Sequence, residues 1–173
     1  MSSLLRLLPR GFSLEVSGPP GSGRRLFVAK LVEYVVERGG SVLYVDLAGT
    51  QYRLCRSGSG LCSSERVTFT RPGDPAEAAL LSFVDDDLVV LDSVPRLFFG
   101  FQAGYRERWG YVSSALLGGL RRASRGLGFV VVNYRSGEKS FGERVFASYF
   151  THRVALEAGG KARLVYPYET PIA

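Results

Sequence analysis

The chain has 173 residues, of which 46% are hydrophobic and 22% charged, so a disordered chain is excluded and a folded domain is expected. Its length is enough for one domain with a sizeable core, and no run of about 18 apolar residues could cross a membrane. The net charge of +6 favours an anionic partner such as nucleic acid, although many basic proteins bind none.

The first eleven residues are briefly apolar but lack the basic start, long apolar stretch and cleavage site of a signal peptide. We therefore expect a cytoplasmic protein that has no membrane partner. Arg greatly outnumbers Lys, and the amide side chains are scarce: Asn133, Gln51 and Gln102. This bias is typical of thermophiles and is equally explained by base composition.

Cysteine and histidine are too few for a structural metal centre. Cys55, Cys62 and the distant His152 cannot complete a four-ligand zinc site, so no metal ligand is predicted. Two interpretations of the thiols stay open. A disulfide of the kind found in hyperthermophiles is one, and two free thiols, which we favour, are the other.

Short apolar runs alternate with helical periods along the chain. The predicted strands are 12–17, 41–46, 66–71, 87–93 and 128–133. The predicted helices are 23–38, a segment starting at Asp74 and Pro75, and 109–125. A loop is predicted over 54–64, and a hairpin over 152–167 that turns at Gly159 and Gly160. This order predicts one α/β domain, 1–173, with a mainly parallel sheet between helices and a C-terminal antiparallel hairpin.

A glycine-rich stretch, GPPGSGRR at 18–25, follows the first strand and opens the first helix. It is close to the phosphate-binding pattern G-x-x-x-x-G-K-[ST], and its strand–loop–helix setting is the one the pattern requires. Backbone N–H groups and the helix N-terminus attract anions there. Downstream, LVVLD ends at Asp92, which would lie beside the metal and the attacking water. Together these features predict a nucleotide-binding fold.

Two positions of the loop depart from the pattern. Arg25 stands where a hydroxyl would hold Mg²⁺, and it brings a positive charge towards the metal position. Arg24 keeps the charge of the usual Lys, but a planar guanidinium is not a compact ammonium. We expect that ATP could still bind without efficient hydrolysis.

Several stretches resemble the RecA-like recombinases, and within them archaeal RadA and its paralogues. They are FSLEVSGPPGSGRR, VLYVDLAGTQYR, LVVLDSV, FVVVN and ASYFTHRVALEAGGKARLV, in the family's order over roughly 10–168. The tripeptide Thr151-His152-Arg153 before a Gly-Lys hairpin makes the resemblance specific. It implies a RecA-like P-loop NTPase core, in which His152 is structural.

The resemblance also implies a degenerate catalytic site. Ala48 takes the position of the family's catalytic Glu, and Tyr134 that of the Gln which senses the nucleotide, while Asn133 is kept. No catalytic residue is therefore predicted. The degenerate nucleotide site comprises Gly18, Gly21, Ser22, Gly23, Arg24, Arg25, Asp92 and Asn133. Neither the family's helix-hairpin-helix domain nor its Phe-x-x-Ala linker motif is found, so autonomous filament formation is not expected.

In the resembled family two loops line DNA, and they correspond here to 95–108 and 135–144. Their candidate DNA-binding cations are Arg96, Arg106, Arg108, Arg135, Lys139 and Arg144. The first segment interleaves them with Phe98, Phe99, Phe101 and Tyr105, which could stack on unpaired bases, so single-stranded DNA is favoured. Protein contact and simple core packing are open alternatives for the LFFGF run.

These features lead to three functional hypotheses. The first is a non-catalytic RecA/RadA paralogue that assists homologous recombination and DNA repair by binding DNA, a recombinase or another paralogue. The second is a DNA-dependent ATPase whose site is completed by Arg24 or by a partner subunit. The third is an architectural subunit that binds neither DNA nor nucleotide alone.

Overall fold

The computed structural model describes residues 4, 7–56 and 64–172. It has a central sheet with helices on both faces. Its strands are β1 Phe12–Gly18, β2 Val42–Asp46, β3 Val67–Thr70, β4 Leu88–Asp92, β5 Gly128–Ser136, β6 Lys139–Ser140, β7 His152–Leu156, β8 Ala162–Tyr166 and β9 Thr170–Ile172. The strand order is β3-β2-β4-β5-β1-β7-β8-β9, and β6 pairs with β5. All neighbours from β3 to β7 are parallel, and β7, β8 and β9 form an antiparallel end.

The predicted helices 23–38 and 109–125 are present, and the predicted segment that starts at Asp74 and Pro75 is a 3₁₀ helix, whereas the remaining helices lie in segments predicted as loops or left unassigned. The helices are α1 Arg24–Glu37, α2 Thr50–Arg56, α3 Val94–Phe99, α4 Tyr105–Ala123 and α5 Glu143–Phe146, with 3₁₀ segments Pro75–Phe83 and Ala147–Tyr149. Within the described part of the chain, none of these helices is long and apolar enough to cross a membrane.

Each face of the sheet carries its own apolar core. On one face Val16, Val90 and Val130 pack with Leu31 of α1. On the other, residues such as Val131 pack with α3 and α4. Strands covered on both faces explain the continuous apolar runs of β4 and β5. The α4 helix comes so close to the sheet that a Cβ atom at Gly119 would lie 2.4 Å from the Phe129 ring.

The predicted mixed α/β architecture, with a mainly parallel sheet and a C-terminal hairpin, is confirmed. The hairpin turns where expected, since Gly159 and Gly160 have φ angles of +88° and +81°. Asp74 caps the following 3₁₀ segment by accepting the Ala76 N–H at 2.7 Å.

Two predicted loops are wrong in part. The segment 54–64 begins inside α2, because Asp46 accepts the N–H groups of Thr50 and Tyr52 and so starts a helix. The described residues do not include 57–63, and so not Cys62, nor the side chain of Cys55. Both interpretations of the thiols therefore stay predictions. The segment 95–108 is mostly helical, comprising α3 and the first turn of α4. Glu107 starts α4 early by accepting the Gly104 N–H at 2.9 Å.

A buried ion pair ties β1 to β7 through the tripeptide singled out in the sequence. Arg153 Nε donates to Glu15 Oε2 at 2.7 Å, and Glu15 is 2% exposed. The same guanidinium donates to Glu143 at 2.9 Å and to Ser140 at 3.0 Å, while Asn133 donates to Glu15 at 2.7 Å. Every polar group of this cluster thus has a partner, as buried charges require. The cluster fixes the segment after β5 against the sheet.

Replacing Arg153 with Met should destabilise the protein by about 3 kcal/mol, because Glu15 would remain buried without its cation. The matched control is Arg163→Met on the same hairpin. Arg163 also pairs with two glutamates, Glu157 and Glu169, but all three side chains are largely exposed. That change should cost less than about 1 kcal/mol. Urea denaturation of both variants measures the difference, and equal losses would contradict the role assigned to Arg153.

Candidate functional site

The glycine loop closes tightly between β1 and α1. A Cβ atom at Gly18 would lie 2.4 Å from Ser22 Oγ and 2.8 Å from the Leu156 carbonyl oxygen, so no side chain fits there. Gly21 and Gly23 have φ angles of +76° and +82°, in the left-handed region that favours glycine. Gly23 directly precedes α1, so the free N–H groups of that helix N-terminus lie beside the loop.

The second arginine of the loop forms an ion pair with the aspartate at the end of β4. Arg25 Nε lies 3.2 Å from Asp92 Oδ2, and the two side chains are 39% and 1% exposed. The hydroxyl of Tyr44, on the neighbouring strand β2, donates to the same Oδ2 atom at 3.1 Å. A guanidinium and a phenol therefore share the carboxylate that the sequence assigns to the metal.

Burial has the largest effect on the pKa values of Asp92 and Tyr44. It raises the pKa of the Asp92 carboxyl above its ordinary value, against the opposing effects of the Arg25 charge and the Tyr44 hydrogen bond. Burial, and then the Asp92 charge, raise the pKa of the Tyr44 phenol well above its ordinary value, so Tyr44 stays a hydrogen-bond donor. Asp92 is thus a poorly solvated carboxylate that depends on its two donors.

A second buried aspartate lies in register with the first. Asp46 ends β2 directly opposite Asp92 on β4. Its carboxylate oxygens accept the N–H groups of Thr50 at 3.2 Å and Tyr52 at 2.9 Å. The sequence analysis missed Tyr44 and Asp46 as site residues. The signal was available, since both are polar groups in the otherwise apolar run VLYVD.

The first arginine of the loop is directed to β5. Arg24 Nη1 donates to the backbone carbonyl of Asn133, and burial lowers the pKa of this guanidinium although Asp92 opposes the shift. The Asn133 side chain is engaged elsewhere, since it donates to Glu15 and to the Phe141 carbonyl. Asn133 thus adjoins the site through its backbone, while its amide belongs to the Glu15 cluster.

The donor set of the loop does not fit a magnesium ion. Arg25 has no hydroxyl to offer, and its charge already neutralises Asp92 at the place a divalent cation would take. The loop still fits a phosphate group, because its glycines and Arg24 line a cavity of about 210 Å³. Ser22 Oγ lies inside the same loop, buried and without a hydrogen-bond partner among the described residues.

The predicted DNA-binding cations lie on two segments that aromatic rings join. Trp109 of α4 stacks on Phe141 with centroids 5.5 Å apart, and Phe98 lies 5.4 Å from Phe141. Phe98 is only 4% exposed, so core packing is the right interpretation for that ring, whereas Phe99 and Tyr105 are 62% and 71% exposed.

The six predicted DNA-binding cations differ in their exposure and in whether their side chains form hydrogen bonds within the protein. Arg108 Nε donates to the Ala103 carbonyl, and Arg135 Nε to the Gly137 carbonyl. The remaining four are exposed: Arg96, Arg106, Lys139 and Arg144. Their role in binding DNA stays a prediction.

Comparison with known proteins identifies the fold. The structure is similar to that of a KaiC-like protein from the hyperthermophilic archaeon Pyrococcus horikoshii OT3, with a TM-score of 0.71 and 15% sequence identity. The match covers 91% of this chain and 78% of the other. No family model matches the sequence, and neither does any curated protein. This likeness shows the fold, which is RecA-like.

Replacing Arg25 with Met should destabilise the protein by about 1–2 kcal/mol at neutral pH, a discounted value because Arg25 is partly exposed. The variant raises the pKa of Asp92 further, since the largest opposing charge is lost. A raised pKa in the folded state favours the protonated form, so the deficit should shrink as pH falls through that pKa towards the ordinary aspartate range.

Urea denaturation from pH 7 down to about pH 4, the ordinary range of an aspartate pKa, with ¹³C NMR of the Asp92 carboxyl, measures both effects. The double variant with Asp92→Asn is the control, because without the buried charge the loss of Arg25 should cost little. A deficit that stays constant with pH would contradict the ion pair.

Proposed function

We propose that this protein is a non-hydrolysing RecA-like paralogue, a cytoplasmic accessory factor in homologous recombination and DNA repair that binds nucleic acid or a recombinase partner. The observation that carries the absence of hydrolysis is the Arg25–Asp92 ion pair. Phosphoryl transfer in P-loop proteins depends on a metal that bridges phosphate oxygens. A site whose aspartate is neutralised by an internal guanidinium has no place for that metal.

Two further residues support the loss of turnover. Ala48 follows β2 with a methyl group where the resembled family has the Glu that activates water. Tyr134 is 37% exposed at the position of the nucleotide-sensing Gln. The site thus lacks the metal-binding hydroxyl, the base and the sensor of the resembled family, while the loop that cradles phosphate is kept. Such a site binds phosphate groups by Arg24 and backbone amides and does not hydrolyse them.

The recombination role rests on the sequence resemblance and on the basic charge. The stretches shared with RadA-like proteins include both the loop and the Thr151-His152-Arg153 tripeptide. The net charge of +6 favours a polyanionic partner, and the exposed ring of Tyr105 contacts Trp109, which stacks on Phe141. A DNA-dependent ATPase and a purely architectural subunit are the competing outcomes that the experiments below separate.

Binding of ATP should be weak and the same with Mg²⁺ or with EDTA, because Arg25, paired with Asp92, occupies the place that a metal would take. The variant Arg24→Lys/Arg25→Thr should gain Mg²⁺-dependent binding of at least tenfold, since it restores the hydroxyl and frees Asp92. Arg24→Lys alone is the matched control and should gain none, because the ion pair is intact. Isothermal titration calorimetry measures all three proteins.

ATP turnover by the wild-type protein decides between the silent and the enzymatic hypotheses. We expect no phosphate release above background, with or without single-stranded DNA. Robust hydrolysis that is lost in Arg24→Ala would show a working ATPase and would overturn the proposal.

The accessory role predicts a physical partner. A tagged form of this protein should retain the host's full-length recombinase from purified components, and single-stranded DNA should strengthen the retention. Retention of neither recombinase nor DNA under any salt condition would leave the architectural hypothesis as the correct one.

A further inference from the structure

A second groove runs along the same edge of the sheet, beside the phosphate loop but apart from it. Its first cavity, of about 400 Å³, is lined by residues that include Tyr52, Arg53 and Phe69. Its second, of about 420 Å³, is lined by residues that include Arg96 and Phe101. The side chain that borders both is Arg71. Each cavity is of a size that takes a small-molecule ligand, and neither shares a residue with the cavity of the phosphate loop.

The three arginines of the groove are free cations. Arg53, Arg71 and Arg96 are exposed, and within the described residues none of their guanidinium groups forms an ion pair or a hydrogen bond. Some other surface arginines do have partners: Arg38 donates to the Tyr34 carbonyl and Arg66 to the Gly39 carbonyl. The groove therefore gathers charge that the protein itself does not use.

The central arginine of the groove lies beside the backbone of a turn. Gly49 has a φ angle of +64°, and a Cβ atom there would lie 3.7 Å from Arg71 Nη1. The guanidinium of Arg71 thus lies close to the turn that leads from β2 into α2.

The nearby carboxylates are occupied by backbone donors. Asp46 is buried and accepts from two N–H groups at the start of α2. At the rim, Glu77 accepts the Gly73 N–H at 2.9 Å and Asp74 accepts the Ala76 N–H at 2.7 Å. None of these acids pairs with an arginine of the groove, so the groove is cationic where a ligand would enter.

Aromatic rings alternate with these cations. Tyr52 is 47% exposed, and its ring lies 6.0 Å from that of Phe69, which is partly buried and lies 5.3 Å from the Tyr44 ring. Phe101 lines the second cavity. Cations for phosphates, interleaved with rings for bases, are the combination by which proteins hold single-stranded nucleic acid. A free phosphate would not use the aromatic rings of the groove. The bases of a duplex are paired and stacked, so their faces could not stack on these rings.

We propose that the groove formed by Arg53, Arg71 and Arg96 with Tyr52, Phe69 and Phe101 binds single-stranded nucleic acid, with phosphates on the arginines and unpaired bases on the rings. The site deepens the proposed function by extending the nucleic-acid surface from Arg96 and Phe101 of the first predicted segment to Arg53 and Arg71, which lie outside both predicted segments. This proposal rests on the proposed function only in taking nucleic acid as the polyanion that binds. It needs neither the phosphate loop nor any metal.

Fluorescence anisotropy with a labelled oligothymidylate of about 15 nucleotides tests the groove. The variant Arg53→Ala/Arg71→Ala/Arg96→Ala should lose at least tenfold in affinity, and its salt slope should fall by about 2, as expected for three lost phosphate contacts. Arg10→Ala/Arg121→Ala/Arg125→Ala removes three exposed arginines elsewhere and is the charge-matched control. Tyr52→Ala should weaken binding about fivefold and leave the salt slope unchanged, because it removes stacking alone. Circular dichroism verifies that each variant is folded.

Several results would overturn the groove. Equal losses in the two triple variants would show a general effect of charge. Equal affinity for the oligothymidylate and for a duplex of the same length would exclude stacking in the groove. A loss confined to Arg106→Ala/Arg144→Ala would move the binding to the predicted segments. The ATP measurements on the Arg24 and Arg25 variants do not depend on the groove. Failure of the groove and failure of the proposed function can therefore be distinguished.

Discussion

The structure of the site depends on how a fully buried carboxylate at the end of a central strand is neutralised. Asp92 is 1% exposed, and a buried charge without partners costs several kcal/mol. In this chain the compensation is internal, from the Arg25 guanidinium and the Tyr44 hydroxyl. The neighbouring Asp46 takes backbone amides as its donors. Two like charges can therefore end adjacent parallel strands without a metal between them.

This arrangement separates the shape of the phosphate loop from its usual chemistry. Gly18 is required by the contact with Ser22 and Leu156, and the positive φ angles of Gly21 and Gly23 are required to enter α1. That helix carries Leu31, part of the core on one face of the sheet. The loop would thus be kept for the sake of the fold even if no nucleotide were bound. The cations at its end, in contrast, contact the Asn133 carbonyl and the Asp92 carboxylate, at the ends of the neighbouring strands.

Much of the architecture could be predicted from the sequence, because buried parallel strands and amphipathic helices have distinct periods. The runs 87–93 and 128–133 were predictable for this reason, and so was the hairpin at Gly159 and Gly160. The helical structure within 95–108 could not be predicted in this way, because it depends on Glu107 capping α4 and on Phe98 packing in the core. In the site, the sequence indicated that Arg25 would oppose a metal, but not that it would bind Asp92. That contact, like the donor role of Tyr44, arises from the register of β2 and β4.

The central claim is that Arg25 holds the place of the metal on Asp92. A crystal structure of the protein soaked with ATP and Mn²⁺, with anomalous diffraction to locate the metal, tests this most directly. We predict that the guanidinium remains on Asp92 and that no anomalous peak lies within about 2.5 Å of its carboxylate oxygens. A manganese ion bound to Asp92, with Arg25 displaced and the triphosphate beside it, would contradict the account.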